Sequence, residues 1–176
     1  MKERYSSANC FFKDIFGTKV YRISLDAHFT CPNRDGTKGY GGCIYCNSGG
    51  SKALYVDSTL SIEEQLNTGI TSFKTAKKAK KFIAYFQPFS NTYAPLEKLK
   101  EIYNVALKHP DVVGISIGTR PDCIDDKKLN YLEEIAKKKF LMIEYGVQTL
   151  NDQALKFINR GHTSEEALKA IIKTKK

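Results

Sequence analysis

Three cysteines stand where they could do chemistry together. They fall in the stretch Thr30-Cys31-Pro32-Asn33-Arg34-Asp35-Gly36-Thr37-Lys38-Gly39-Tyr40-Gly41-Gly42-Cys43-Ile44-Tyr45-Cys46-Asn47, a C-x11-C-x2-C spacing. A C-x2-C pair lets two sulfurs reach one metal centre, and glycines beside it let backbone amides approach those sulfurs. With a third thiolate on the same loop, the set suits a 4Fe-4S cluster. Held by three cysteines, such a cluster keeps one iron open to bind and reduce a small molecule. Zinc is the rival, because His28-Phe29-Thr30-Cys31 is an H-x2-C spacing that would complete a Cys3His site with Cys43 and Cys46. Three arguments favour the cluster. His28 serves equally as a loop residue, structural zinc modules seldom sit at the mouth of a parallel sheet, and the polar face derived below calls for a cofactor beside the metal. Cys10 and Cys123 read as small buried or half-buried hydrophobes rather than ligands.

The chain that must position this loop has 176 residues, 41% hydrophobic, with ten Tyr and ten Phe, enough for a core. No apolar run approaches the roughly 18 to 20 residues of a membrane span. The Met1-Lys2-Glu3-Arg4-Tyr5 start lacks the apolar stretch of a secretory signal. Both features predict a cytoplasmic protein with no membrane partner, and there the odd number of cysteines speaks against a disulfide framework. A net charge of +9 suits a polyanion such as RNA, although much of it lies in residues 74–81 and 173–176, runs typical of solvated helix ends.

A leader over residues 1–19, with an amphipathic segment at Asn9–Phe16, precedes a first strand at Val20–Leu25 and then the cysteine loop. A capping box from Ser61 to Glu64 opens a helix with Ile62, Leu66, Ile70 and Phe73 on one face. Phe82–Gln87 reads as a second strand. Pro95 opens a helix that turns Leu96, Leu99, Ile102, Tyr103 and Ala106 inward and stops at His109-Pro110. Val112–Gly118 is a third strand, followed by a helix from about Asp125 with Leu129, Leu132 and Ile135. Phe140–Gln148 is a fourth, followed by a short helix capped by Asn151 and another opened by a box from Thr163 to Glu166. Strands alternating with helices imply right-handed βαβ units and a parallel sheet, a doubly wound sheet or part of a barrel, in one domain spanning residues 1–176. The pattern runs out at Lys176 without a cap or a further strand, so more βα units are expected in the complete barrel.

Side chains alternate faces along a strand, and the outer face of a helix-covered sheet must be apolar. Leu141, Ile143, Tyr145 and Val147 supply it in strand four, leaving Glu144, Gly146 and Gln148 opposite. Val113, Ile115 and Ile117 do so in strand three, leaving Gly114, Ser116, Gly118 and Arg120. Gln87 shares a side with Tyr85, and Ser24 and Asp26 share one with Arg22. A filled barrel would place branched aliphatics at these positions. Small, amide and charged residues there predict a cavity for a polar ligand at the strands' C-terminal ends.

The cysteine stretch, then YFQPFSNTYAP, GISIGTRPDCID, IEYGVQTLND and NRGHT, resembles in this order a bacterial group of radical S-adenosylmethionine (SAM) proteins. That group is related to the Elongator catalytic subunit and, more distantly, to oxygen-independent coproporphyrinogen oxidase. The likeness runs from about Phe16 to His162, and the long first cysteine gap is shared with this subgroup. It implies an α/β fold, a partial (β/α)6 barrel, with a 4Fe-4S cluster on Cys31, Cys43 and Cys46 and SAM on the open iron. It places Tyr45 near the adenine, Gln87 and Asn91 along the methionine moiety, Glu144 and Gln148 near SAM, and Arg160 as partner of its carboxylate. Arg120 and His162 are left for substrate. The implied chemistry is reductive cleavage of SAM to methionine and a 5′-deoxyadenosyl radical, with an electron from a donor such as flavodoxin or ferredoxin. The implied substrate is tRNA, at the side chain on its wobble uridine, converted from carboxymethylaminomethyl to aminomethyl. A radical reaction on a small molecule and a non-catalytic zinc or iron–sulfur interaction module remain the alternatives.

Overall fold

The computed structural model describes Tyr5 and residues 7–175. Residues 1–4, 6 and 176, part of the leader and the end of the basic tail, lie outside the described residues. Four parallel strands, β1 (Val20–Leu25), β2 (Lys81–Phe86), β3 (Val112–Thr119) and β4 (Phe140–Tyr145), form one sheet in the order β1-β2-β3-β4. Each crossover carries a helix: α2 (Ile62–Lys77), α3 (Leu96–Lys108) and α4 (Asp126–Ala136). Helix α1 (Ala8–Phe16) precedes the sheet, and α5 (Asp152–Phe157) and α6 (Ser164–Thr174) follow it. This is the expected α/β architecture, a parallel sheet of four βα-linked strands as in a partial barrel.

The helices start where side chains can accept the free backbone N–H groups of the first turn. Ser61 and Glu64 form a reciprocal capping box on α2, as do Thr163 and Glu166 on α6, while Asp125 caps α4 and Asn151 caps α5. Along α2 to α4 the apolar stripes pack on the outer sheet face, joining Leu66, Ile70, Leu99, Ile102, Tyr103, Leu132 and Ile135 to Ile23, Leu25, Phe82, Ala84, Phe86, Ile115 and Ile117 in one core.

The inner face is divided. At its N-terminal end Val20, Ile83, Val113, Phe140 and Met142 form a second apolar cluster with Phe12 and Phe16 of α1, so this helix plugs the bottom of the sheet. Only the C-terminal end is polar. Val113 therefore lies on the face opposite to the expected one. The cause is a register irregularity: Phe82 pairs with Val112 but Ile83 pairs with Gly114, which makes Val113 the extra residue of a bulge. The fourth strand is also shorter than expected, ending at Tyr145. Gly146 N–H still donates to Thr119, but the chain then turns tightly, with Gln148 at φ 67°. Gln148 thus leaves the sheet instead of completing the alternation.

Candidate metal centre and cofactor cavity

The polar end of the inner face is organised around Glu144. Its carboxylate accepts from Arg22 Nη1 at 2.8 Å, Tyr85 Oη at 2.8 Å and Ser116 Oγ at 2.9 Å, so residues of all four strands meet at one anion. Burial and this carboxylate push the Tyr85 hydroxyl up to about 12, keeping it a donor. Ser24 Oγ donates to Gln87 Oε1 at 3.4 Å, and Gln87 Nε2 to the Ser51 carbonyl at 2.9 Å, which ties the cysteine loop to the end of β2. Asp26 does not join this group. Its carboxylate accepts from Ser58 Oγ and the His28 N–H, because the chain has already left β1 and turned toward α2.

Above this floor lies a cavity of about 310 Å³. Cys31, Cys43 and Cys46 line it together with Tyr45, Gln87, Glu144, Gln148 and Arg160, so eight of the nine residues singled out from sequence converge on one space. Asn91 does not. It is fully buried, its Nδ2 donating to the carbonyls of Pro88 and Gly118 and its own carbonyl accepting from the Tyr103 hydroxyl, so it fastens the loop after β2 to the end of β3. Its Oδ1 has no hydrogen-bond partner among the described residues.

Each cysteine has its own surroundings. Asn33 Nδ2 lies 3.6 Å from Cys43 Sγ and also donates to the carbonyls of Asn159 and Arg160, while Arg160 Nη1 donates to the same sulfur at 3.4 Å. Burial pushes the Cys43 thiol up, but Arg160, Tyr45 and Asn33 outweigh it and leave the group below its ordinary value, toward thiolate. Cys46 Sγ accepts from Arg34 Nη2 at 3.3 Å, and Cys31 Sγ from Arg120 Nη1 at 3.8 Å. Tyr45, half exposed beside Cys43, has its hydroxyl raised to about 12, first by burial. Cys123 is buried and raised to about 11, chiefly by burial, which makes it an inert thiol; Cys10, by contrast, is exposed on α1.

Arg120 and His162, set aside from sequence for substrate, are occupied. Arg120 forms a bidentate pair with Asp122 and donates to the Arg160 carbonyl at 2.7 Å. His162 is buried against Arg160 Nε and the Thr163 carbonyl, and burial lowers its basicity. Asn33, Arg34, Tyr85 and Phe89 were not singled out as site residues, yet they line the cavity or touch its sulfurs. For Asn33 and Arg34 the signal was present, since both lie inside the cysteine stretch.

The donor set fits a cluster better than a zinc ion. Among the described residues no group of three or more His, Cys, Asp or Glu side chains, the three cysteines included, is already closed around a metal position, so the choice rests on the chemistry of the donors. His28, the fourth ligand a zinc site would need, lines a different cavity between the start of α2 and the start of α3. Three thiols with N–H donors at the edge of a roomy polar cavity suit a larger inorganic cluster with a neighbouring ligand.

Residues 31–176 match the family model of the Radical SAM superfamily. The chain belongs to that superfamily. It is 39% identical over 175 residues to an uncharacterised protein, YtqA, of Bacillus subtilis, covering 99% of this chain and 54% of the relative. It is 40% identical over 148 residues to YhcC of Escherichia coli, covering 84% and 47%. A tRNA uridine(34) acetyltransferase of Methanocaldococcus jannaschii is 38% identical over 58 residues, 33% of this chain and 10% of that protein. The chain spans about half the length of these first two relatives. Radical SAM proteins as a class use a 4Fe-4S cluster and SAM. No helix among the described residues is long and apolar enough to cross a membrane.

Proposed function

We propose that residues 1–176 are the cofactor-binding core of a radical SAM enzyme acting on the wobble uridine of tRNA, working in the cytoplasm with a flavodoxin or ferredoxin as electron donor. The observation that carries this reading is the gathering of Cys31, Cys43 and Cys46 on one cavity with Gln87, Glu144, Gln148 and Arg160. When bound, the cluster and SAM supply reductive cleavage to methionine and a 5′-deoxyadenosyl radical able to abstract a hydrogen atom.

The protein contributes binding, orientation and exclusion of water. Cys31, Cys43 and Cys46 would hold the cluster. Gln87, just past β2, and Gln148, in the turn that follows β4, offer amides to an amino-acid head group. Glu144 is fixed in one orientation by its three donors and offers a carboxylate edge to an ammonium or hydroxyl. Arg160, the expected partner of the SAM carboxylate, is engaged by the Gly146 carbonyl and Cys43 Sγ, and would meet a carboxylate by exchanging one of these bonds. Tyr45 presents an aromatic ring at the rim for a purine. The tRNA assignment draws on the partial likeness to a tRNA uridine(34) acetyltransferase and on the net charge of +9.

The test is to reconstitute the protein anaerobically, reduce it with dithionite, and measure 5′-deoxyadenosine and wobble nucleosides with and without tRNA. Formation of 5′-deoxyadenosine that rises with tRNA and leaves a modified wobble uridine is the expected result. Cleavage indifferent to tRNA would point to a small-molecule substrate. Absence of cleavage with a bound zinc ion would make the chain a non-catalytic module.

A further inference from the structure

Each of the three cavity thiols is met by a guanidinium from a different part of the chain: Arg34 at Cys46, Arg160 at Cys43 and Arg120 at Cys31. Each guanidinium is also fixed from behind. Arg34 Nη2 donates to the Cys46 and Asn47 carbonyls, at 3.1 and 2.5 Å, and its guanidinium lies 5.3 Å from the centre of the Phe89 ring. Arg160 donates from Nε and Nη2 to the Gly146 carbonyl, and Arg120 is clamped by Asp122. Their N–H groups are therefore aimed at sulfur in advance, by a planar fork that lysine could not reproduce.

Charge makes the arrangement more than a set of loop fasteners. Arg120 is 2% exposed and Arg160 7% exposed. Of the three, only Arg120 has a carboxylate partner among the described residues. A buried guanidinium without a compensating anion is costly. Asp122 compensates Arg120, whereas Arg160 has no carboxylate beside it among the described residues and meets the Cys43 sulfur. An iron–sulfur cluster's potential depends on its net charge and on hydrogen bonds to its sulfurs. Added electrons are favoured where fixed cations and N–H donors surround the ligands.

Resting on the cluster reading above, we infer that Arg34, Arg120 and Arg160 are positioning residues that raise the reduction potential of a cluster held by these thiols. Their role is to make its reduction by a one-electron flavin or iron–sulfur donor easier. Asp122, the lone carboxylate paired within this set, works in the opposite direction.

The experiment is a redox titration of the reconstituted protein without SAM, followed by electron paramagnetic resonance, on the wild type and on Arg34→Gln, Arg34→Lys and Asp122→Asn. Iron and sulfide contents are measured on the same samples. The expected result is a more negative midpoint for Arg34→Gln, a smaller negative shift for Arg34→Lys and a positive shift for Asp122→Asn. A structural role alone would not give shifts of opposite sign. Should Arg34→Gln not retain its cluster, the other two variants carry the same comparison of sign. Coincident potentials in cluster-loaded variants would overturn this inference and leave the cluster reading standing. A wild-type protein that takes up no cluster would overturn both.

Discussion

Gly161 adopts φ 74°, and a Cβ there would lie 2.1 Å from Asn33 Oδ1. Asn33 cannot move aside freely, because its Nδ2 is held by the Asn159 and Arg160 carbonyls while it faces Cys43. Gly161→Ala is therefore expected to destabilise the fold by about 1–3 kcal/mol, read by urea denaturation, and to loosen the Cys43 side of the site. A stability equal to wild type would show that the two loops are not locked together. The cysteines were legible because their spacing alone implies a common centre. Asn33 and Arg34 lie in the same stretch, but which sulfur each meets was not legible, since the contacts fall 10 and 12 residues further on through a loop that has no period. Asn91 was misplaced because an amide after a strand reads alike whether it faces a ligand or, as here, its own backbone.

The elements themselves were legible almost to the residue wherever caps and periodicity agreed, as in α2, α3 and α6. The bulge at Val113 and the early end of β4 were not, because both depend on pairing with a neighbouring strand. Helix α1 gained a role the sequence did not disclose: Phe12 packs edge-on against Phe140, with ring centres 5.8 Å apart, and closes the inner face from below. Phe12→Ala is expected to cost about 3–5 kcal/mol, measured by chemical denaturation. A loss under about 1 kcal/mol would mean that α1 merely rests on the sheet. In the turn after β3, burial pushes the Asp122 carboxyl up, but Arg120 and Lys38 outweigh it and hold it below the ordinary carboxylate value of 3.8. A depressed folded value contributes stability that is fully present above the unfolded value and is lost as pH falls through the folded one. Wild type should therefore lose more stability than Asp122→Asn on acidification below pH 3.8, in denaturation curves compared at neutral and acid pH. Parallel losses in the two proteins would contradict this.

Over the whole molecule, the sheet separates an apolar, α1-plugged bottom from a polar top where the cysteine cavity opens. Positive charge is present at the bottom too: Lys13, Lys19, Lys77, Lys78 and Lys80 line one cleft between α1 and the turn after α2. If tRNA is the substrate, the logarithm of its binding constant should fall linearly with the logarithm of salt concentration. The slope would be roughly 0.7–0.9 for each phosphate neutralised, and filter binding at several salt concentrations would reveal it. Affinity independent of salt would argue against a phosphate-backbone contact. The most direct test of the central claim is to reconstitute the protein anaerobically with iron and sulfide and record its absorption spectrum. The expected result is a brown protein with broad iron–sulfur absorption that is lost in each of Cys31→Ala, Cys43→Ala and Cys46→Ala but kept in Cys123→Ala. A colourless protein, or one holding a single zinc ion bonded to His28, would contradict it.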